Sequence, residues 1–584
     1  MSSLADFEAL LPQVLGALSI PGMAVSVQHN GAAVLHKAYG VRTLALPADD
    51  PANALKTSSI FDQCSVTKAF TAAAVGVLVH QSRLKWSDKV TQHLPEFALP
   101  DELATRDCTV LDLLSHGTGI EGGDTLSVGT TRNAASTFKL LSGLRHLRMN
   151  GAFRDAFNYS NNMFGVATIL IERVSGSAYP DFVMEHILDP LGMKGIWCTE
   201  EAHAHSEVAQ PHEVDVALSV PQLLEKYAWN PAFGLEAVVA MTDPEKVDAD
   251  SAAAAVAAIP RDVTPIRLFA EDNRDLAGTG FLFTSADDML KWAACWLNGG
   301  KAPSGQQVLF EMDTLTKVQN ASIYSSTVRK PTGLRKLGYT CGWMVEQFGE
   351  YEVLWHGGGM PGYSIHLLLV PAANISVYIA TNQSYCGPFT GLLSALVLHT
   401  LIPLTGPDAP VLTSATVASM LPRIRLGFLE EDVEELQKLF GKAPPPAAIE
   451  AATPALPAGI AIEDLAGVYQ HPALGIVTIV LDDLATGALA PRLRIVRAPA
   501  TMREMFLPLS PSFNASVAAN EVVFLAAPPE MGRVKFTRAA TAAAGGSIKA
   551  PTPKRVTGRA WVPRQCYDLH FGEDGEVHVW TRMD

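Results

Sequence analysis

Apolar residues at Leu4, Phe7, Leu10, Leu11 and Val14 recur with a helical period and predict an amphipathic helix at the start of the chain. From Gly22 to Tyr39 the period changes to two. Val25, Val27, Val34 and Leu35 flank His29-Asn30-Gly31, and Asn-Gly between alternating runs predicts a hairpin. The run from Ala69 to Val79 is apolar almost all round, which predicts a buried helix starting near Ser65. Shorter helical patterns alternate with loops from about 85 to 200, for example Phe164 to Val174. Thr284 to Trp296 predicts another helix: Thr284 or Ser285 can cap it, Asp287 and Asp288 suit its first turn, and Met289, Trp292 and Trp296 form an apolar stripe. Tyr351 to Trp355, Ser364 to Val370 and Ile375 to Ala380 read as successive antiparallel strands. Pro371 to Asn374 supplies a turn, and a helix follows over Leu392 to Leu401.

Two stretches break the pattern. Residues 203–265 carry Pro, Ala and acidic side chains with weak periodicity, and read as an insertion or lid. Ala443 to Pro457 is rich in Ala and Pro, a linker composition. Beyond it, Val477-Ile479-Leu481, Leu493-Ile495-Val496 and Val577-Val579 alternate, as expected of a small β domain with a barrel or curved sheet. The expected organisation is a catalytic domain over 1–405, a helix and linker over 406–460, and a β domain over 461–584.

Composition narrows the class. A chain of 584 residues exceeds the size of one ordinary core. A net charge of −15 argues against a nucleic-acid or anionic-membrane surface. The first residues lack a basic segment followed by an apolar core, so no secretory signal is expected. No stretch is apolar for long enough to span a bilayer. Seven dispersed cysteines without a CxxC pair suggest reduced thiols and a cytoplasmic setting. His203, His205 and His212 cluster without a carboxylate pattern, so they read as solvated loop histidines and no metal is expected.

The chemistry begins at Ser65-Val66-Thr67-Lys68. Residues three apart on a helix share a face, so the pair can be a nucleophile with its own base. The spacing occurs three times, at Ser65/Lys68, Ser82/Lys85 and Ser136/Lys139. Only the first pair leads into a buried helix, where burial would disfavour the lysine's charge. A helix N-terminus at Ser65 would also offer its N–H groups to developing negative charge. Tyr159-Ser160-Asn161 is the only Tyr-x-Asn among twelve tyrosines. A phenol near an ammonium can relay a proton, and the amide of Asn161 can hold Lys68 or a substrate carbonyl. After the strand ending at Trp355 comes His356-Gly357-Gly358-Gly359. Bare glycines such as Gly358 and Gly359 let a substrate lie against the backbone, with a Gly359 N–H free to bind an oxyanion. His356 can hydrogen-bond the tyrosine or the substrate.

These three elements, in this order, resemble the serine β-lactamase and penicillin-binding-protein superfamily, in its class C-like branch with family VIII carboxylesterases and D-aminopeptidases. Leu113-Leu114-Ser115-His116-Gly117-Thr118-Gly119, Ala277-Gly278-Thr279-Gly280 and Ser285-Ala286-Asp287-Asp288-Met289 add to the likeness, which spans about residues 8 to 402. The segment starting Leu465-Ala466-Gly467-Val468-Tyr469 looks like the β-barrel appendage of some members. The resemblance implies an α+β fold: an α/β/α sandwich with a central antiparallel sheet, a helical subdomain and a small C-terminal lipocalin-like β-barrel. It implies Ser65 as the acylated nucleophile, Lys68 as its base, Tyr159 as partner base and acid, and Asn161 as the group positioning Lys68 and substrate. The amides of Ser65 and Gly359 would form the oxyanion hole. Lys-Thr-Gly is usual on the third motif of β-lactam-processing members, and His356-Gly357-Gly358 replaces it here. Without that ammonium and hydroxyl a substrate carboxylate binds less well, which favours another ester or amide.

G-x-S-x-G, H-E-x-x-H and Walker patterns are absent. The expected activity is therefore a serine hydrolase acting on a small-molecule ester, amide or acyl donor without a cofactor. Transfer of the acyl group to an alcohol or amine, and a non-catalytic binding role on the same fold, are the alternatives.

Overall fold

A computed structural model describes residues 3–120, 140–214, 263–266, 277–316, 322–323, 332–404 and 412–421, apart from isolated positions, together with eight strands between 467 and 582. Most of the expected 203–265 lid and all of the 443–457 linker lie outside the described residues. The chain divides into two compact units, Met1–Val216 with Ala232–Glu430, and Ala217–Pro231 with Glu431–Asp584.

The first unit is built on one antiparallel sheet. Its strands are β1 (Gly22–His29), β2 (Ala32–Gly40), β3 (Ser322–Ile323), β4 (Leu334–Thr340), β5 (Trp343–Phe348), β6 (Tyr351–Met360), β7 (Tyr363–Val370) and β8 (Ile375–Thr381), in the spatial order β2-β1-β8-β7-β6-β5-β4-β3. The hairpin expected at Asn30-Gly31 is present: His29 faces Ala32, and both turn residues have positive φ, at 53° and 78°. A two-residue turn of that kind matches the twist of the strands it joins.

Alternation along β1 and β8 separates the two faces of the sheet. Val25, Val27, Val377 and Ile379 join one apolar core with Phe7, Leu10, Leu11, Val14 and Leu18 of helix α1 (Leu4–Leu18). Leu393, Leu396 and Val397 of a C-terminal helix, Gly387–Leu401, share that core. Ser26 and Tyr378 turn to the opposite face, where they meet His36 and Gln63.

Helix α2 (Thr67–His80) is buried from Thr67 through Leu78, as its unbroken apolar run predicts. It packs against α3 (Asn161–Ser175), which ends at a left-handed Gly176 with φ 74°. Helix α4 (Ala286–Leu297) is capped by Ser285, whose hydroxyl accepts the Asp288 N–H at 3.2 Å. Its apolar stripe is buried, with Trp292 stacked on Phe70 of α2 at 3.8 Å between ring centroids.

In the second unit eight strands, from Gly467–His471 to His578–Arg582, pair antiparallel in chain order. The first strand also pairs with the last, Tyr469 opposite Arg582.

Candidate active site

Ser65 does not open an α-helix directly, contrary to the sequence expectation. It lies in a single 3-10 turn, Cys64–Val66, and α2 begins two residues later at Thr67. The turn is set by the backbone before it. Cys64 has φ 49°, a conformation that a non-glycine residue adopts only where its surroundings impose it. Its N–H donates to Asp62 Oδ1 at 2.7 Å, which bridges that bend. Asp62 is fully buried, and burial pushes its carboxyl up to about 7 against the pull of the Cys64 and Phe281 N–H groups.

One helical turn on, Lys68 is entirely buried. Its ammonium donates to Ser65 Oγ at 2.9 Å and to the Thr279 carbonyl at 2.7 Å. Tyr159 reaches the same atom from a different segment, its hydroxyl donating to Ser65 Oγ at 2.8 Å. The Lys68 ammonium also lies 5.0 Å from the centre of the Tyr159 ring and 5.5 Å from that of Phe164. Ser65 keeps partial exposure while Lys68 has none, so solvent reaches the hydroxyl and not the amine. Of the competing spacings, Ser82 and Lys85 are exposed, and Ser136 and Lys139 lie outside the described residues.

Thr279 is a contributor that side-chain chemistry could not reveal, because it acts through its carbonyl. The stretch Ala277-Gly278-Thr279-Gly280 packs tightly. A Cβ on Gly278 would sit 2.2 Å from Thr168 Oγ1, and the Gly278 carbonyl accepts the Thr71 hydroxyl at 2.7 Å. Asn161 is the first residue of α3, two positions beyond Tyr159, on the helix packed against α2.

The glycine run corrects a second expectation. It does not follow the strand but lies within it. β6 continues through Met360, with Gly358 opposite Ile365 and Gly359 opposite Ser364. The three glycines also differ in what surrounds them. A Cβ on Gly358 would lie 2.6 Å from the Gln63 carbonyl and 3.0 Å from Cys64 Cβ, so its absence lets the strand press against the turn that carries Ser65. A Cβ on Gly359 would meet nothing within 4 Å. Gly358→Ala is therefore expected to destabilise the fold by about 1–3 kcal/mol through overpacking, while Gly359→Ala leaves the melting temperature unchanged. Thermal melts of the two variants side by side check this; equal melting temperatures would refute it.

His356 occupies a different place from the one its sequence position suggested. Its Nδ1 lies 2.6 Å from the Gly357 carbonyl, which can only accept, so Nδ1 carries the proton. Nε2 then accepts the Tyr339 hydroxyl at 3.0 Å. Burial, reinforced by the Lys68 charge, holds the imidazole down to about 3, so it is neutral at ordinary pH. The ring still stands 6.3 Å from that of Tyr159. Tyr339, which no local motif marks, is the residue that links the third motif to the tyrosine.

A third expectation, that of solvated histidines, fails at His212. His212 is buried rather than solvated: its Nδ1 is 3.0 Å from the Asn382 carbonyl, and its Nε2 accepts the Leu44 N–H at 3.0 Å. A line of Ser26, His36 and Asp287 also forms, with Oγ to Nδ1 at 2.8 Å and Nε2 to Oδ1 at 2.7 Å. It resembles a hydrolytic triad, but Ser26 is 1% exposed, so no substrate meets its hydroxyl. The line ties β1 and β2 to α4.

Comparison with known proteins bears on the family and the fold. The family model described as Beta-lactamase matches residues 7–401, more than half of the chain. The unguisins hydrolase ungD' of Aspergillus campestris is 26% identical over 495 residues, covering 82% of this chain and 78% of that protein. Penicillin-binding protein 4 of Amycolatopsis lactamdurans is 23% identical over 376 residues, 63% of this chain and 83% of its own. Among solved structures, the octameric penicillin-binding protein homologue from Pyrococcus abyssi aligns with a TM-score of 0.50 at 16% identity, over 99% of this chain and 100% of that one. The matched model and the α+β fold around a large antiparallel sheet lead to one conclusion: the chain belongs to the beta-lactamase family of serine hydrolases.

Proposed function

We propose that this protein cleaves an ester or amide of a small molecule through an acyl-enzyme at Ser65, which water then releases. The observation that carries this reading is the convergence of Lys68 and Tyr159 on one oxygen, Ser65 Oγ, at 2.9 and 2.8 Å. Starting as the neutral amine, Lys68 takes the Ser65 proton and becomes the ammonium as Oγ attacks the substrate carbonyl. Tyr159 delivers a proton to the departing alcohol or amine. In the second half, water attacks the acyl-enzyme, the same groups accept its proton, and Ser65 is restored. The N–H groups of Ser65 and Gly359 hold the oxyanion in both halves. Asn161 positions Lys68 and the substrate carbonyl.

The third motif bears on the substrate class. Where β-lactam-processing relatives place a lysine, this chain has His356, buried and neutral. It offers no cation to a carboxylate. The favoured substrate therefore presents a neutral group at that end of the cleft. A relative named as a hydrolase of unguisins supports hydrolysis.

The same reading divides the molecule into a catalytic domain over residues 1–405 with 203–265 as an insertion or lid, a connecting segment over 406–460, and a lipocalin-like barrel over 461–584. The ring of paired strands from 467 to 582 supports that last assignment. No described helix is long and apolar enough to cross a membrane. Cys64, Cys108, Cys295 and Cys341 are buried thiols outside any disulfide, which supports a cytoplasmic setting. The partner is a small molecule, with neither nucleic acid nor membrane.

Mass spectrometry of the products, with and without an added primary alcohol, tests the choice of acceptor. The free acid should dominate in both. A dominant ester of the added alcohol would replace hydrolysis with acyl transfer.

A further inference from the structure

The three motifs leave out the group that holds Tyr159 in place. Tyr159 ends an irregular segment, 149–158, that has no helix or strand to stiffen it. That segment is laid along residues 116–119 by backbone bonds. Asn150 and Gly151 N–H donate to the Gly119 carbonyl, Arg154 N–H to that of Gly117, and Asn158 N–H to that of His116. Arg154 clamps it from outside, its guanidinium bonding both oxygens of Asp112 at 2.7 and 2.6 Å.

The last rung differs in kind. The Ser160 N–H donates to a side-chain atom, His116 Nδ1, at 3.1 Å. His116 is fully buried and has φ 56°, a left-handed backbone that turns its side chain inward. Its ring is enclosed by four aromatic rings: Tyr159 at 4.4 Å, Tyr339 at 4.5 Å, Phe164 at 5.1 Å and Phe157 at 5.7 Å between centroids. Because Nδ1 accepts a hydrogen bond, the neutral ring carries its proton on Nε2, which has no partner among the described residues. Among the described residues no acceptor therefore pulls the ring away from Tyr159.

We propose that His116 is a positioning residue for the acyl-transfer step: it grips the backbone of Ser160 and backs the ring of Tyr159, so that the phenol points at Ser65 Oγ. The proposal rests on the reading of Ser65, Lys68 and Tyr159 as the reacting groups. Burial, with help from the Lys68 and His356 side chains, keeps the imidazole neutral, so its acceptor nitrogen is retained. The grip is short and local, and its value lies in geometry. A misplacement of about 1 Å in a reacting group costs on the order of 10²-fold in rate.

The test uses the full-length protein and two readouts. One is kcat and KM on an activated ester. The other is the rate at which a fluorophosphonate labels Ser65, which needs no knowledge of the substrate. His116→Leu removes the acceptor and fills the cavity. His116→Asn keeps an acceptor oxygen near the place of Nδ1. The expected result is a loss of about 10²-fold in kcat and labelling rate for H116L with KM little changed, and recovery of most of that loss in H116N. In a Tyr159→Phe background, H116L should cost nothing further in either readout, because the two act as a unit. Undiminished labelling and turnover in H116L would overturn the proposal. So would equal losses in the two His116 variants, or a full additional loss in the Tyr159→Phe background, which would mark a role independent of Tyr159. The cycle survives partial unfolding, since a purely structural defect adds in both backgrounds. Undiminished activity in Tyr159→Phe alone would instead refute the catalytic reading on which the proposal stands.

Discussion

Ser65→Ala is expected to abolish turnover while leaving the fold intact. Ser65 Oγ is the single atom on which the Lys68 ammonium and the Tyr159 hydroxyl both converge. Without it no acyl-enzyme forms. Loss of a nucleophile that acts as a unit with its base costs on the order of 10⁶-fold in kcat in a well-studied serine hydrolase. A loss of at least about 10⁴-fold is the expectation here, allowing for residual catalysis by the oxyanion hole and binding. The fluorophosphonate label should vanish in the same variant, and intact mass before and after labelling reads that directly. Stability should move little, because Ser65 is partly exposed and the substitution deletes one hydroxyl. Turnover near that of the parent protein would remove Ser65 from the mechanism.

Lys68→Met is the second large effect, and its interest is that activity and stability should separate. Methionine approximates the length and volume of the lysine stem, so α2 keeps its packing. The variant loses the base that touches Ser65 Oγ, and the expected fall in kcat is about 10²–10⁴-fold. Two terms oppose each other in stability. A buried polar amine is removed, and an apolar group of similar volume at a buried site carries no desolvation cost. The Thr279 carbonyl loses its hydrogen bond from Lys68, and one lost hydrogen bond costs about 0.5–1.5 kcal/mol. The terms nearly cancel, so the melting temperature should stay within a few degrees of the parent. A melting temperature that falls in step with kcat would mean Lys68 is a structural cation and not a base. Retained kcat would exclude it from catalysis.

Much of the site was legible locally because its signals are local. The run after Ser65 is apolar on every side, and such a helix has nowhere to go but inside; that singles out Lys68 from two other lysines at the same spacing. Ser285 caps α4 as its position before Asp287 and Asp288 suggests, because capping is decided within one turn. Asn30-Gly31 makes its hairpin for the same reason.

What escaped the sequence depends on contacts between distant segments. His116 sits in a stretch that drew notice only as a resemblance, and its bond to Ser160 crosses 44 residues. Thr279 contributes a carbonyl, which every residue type possesses. Tyr339 reaches His356 from another strand of the sheet, a partner that no pattern around His356 marks. His212 appeared solvated from its neighbours in sequence and proved buried against Asn382, 170 residues away. Period-2 alternation marked the strand at Tyr351, but the glycines after Trp355 carry no side-chain pattern, so only pairing with β7 shows that the strand runs on to Met360.

The sequence by itself determined the candidate site residues Ser65, Lys68 and Tyr159, many of the helices and strands around them, and the family likeness. Those follow from residue type, spacing and burial, which the chain encodes within a few turns of each element. Tertiary structure alone decided how they meet. Gly358 lets a strand close on the Cys64 turn, Thr279 turns a carbonyl toward Lys68, and His116 fastens the segment that ends in Tyr159. Each of these is a contact between segments far apart in the chain, made through backbone atoms, missing atoms or a ring nitrogen, and none leaves a local pattern to read.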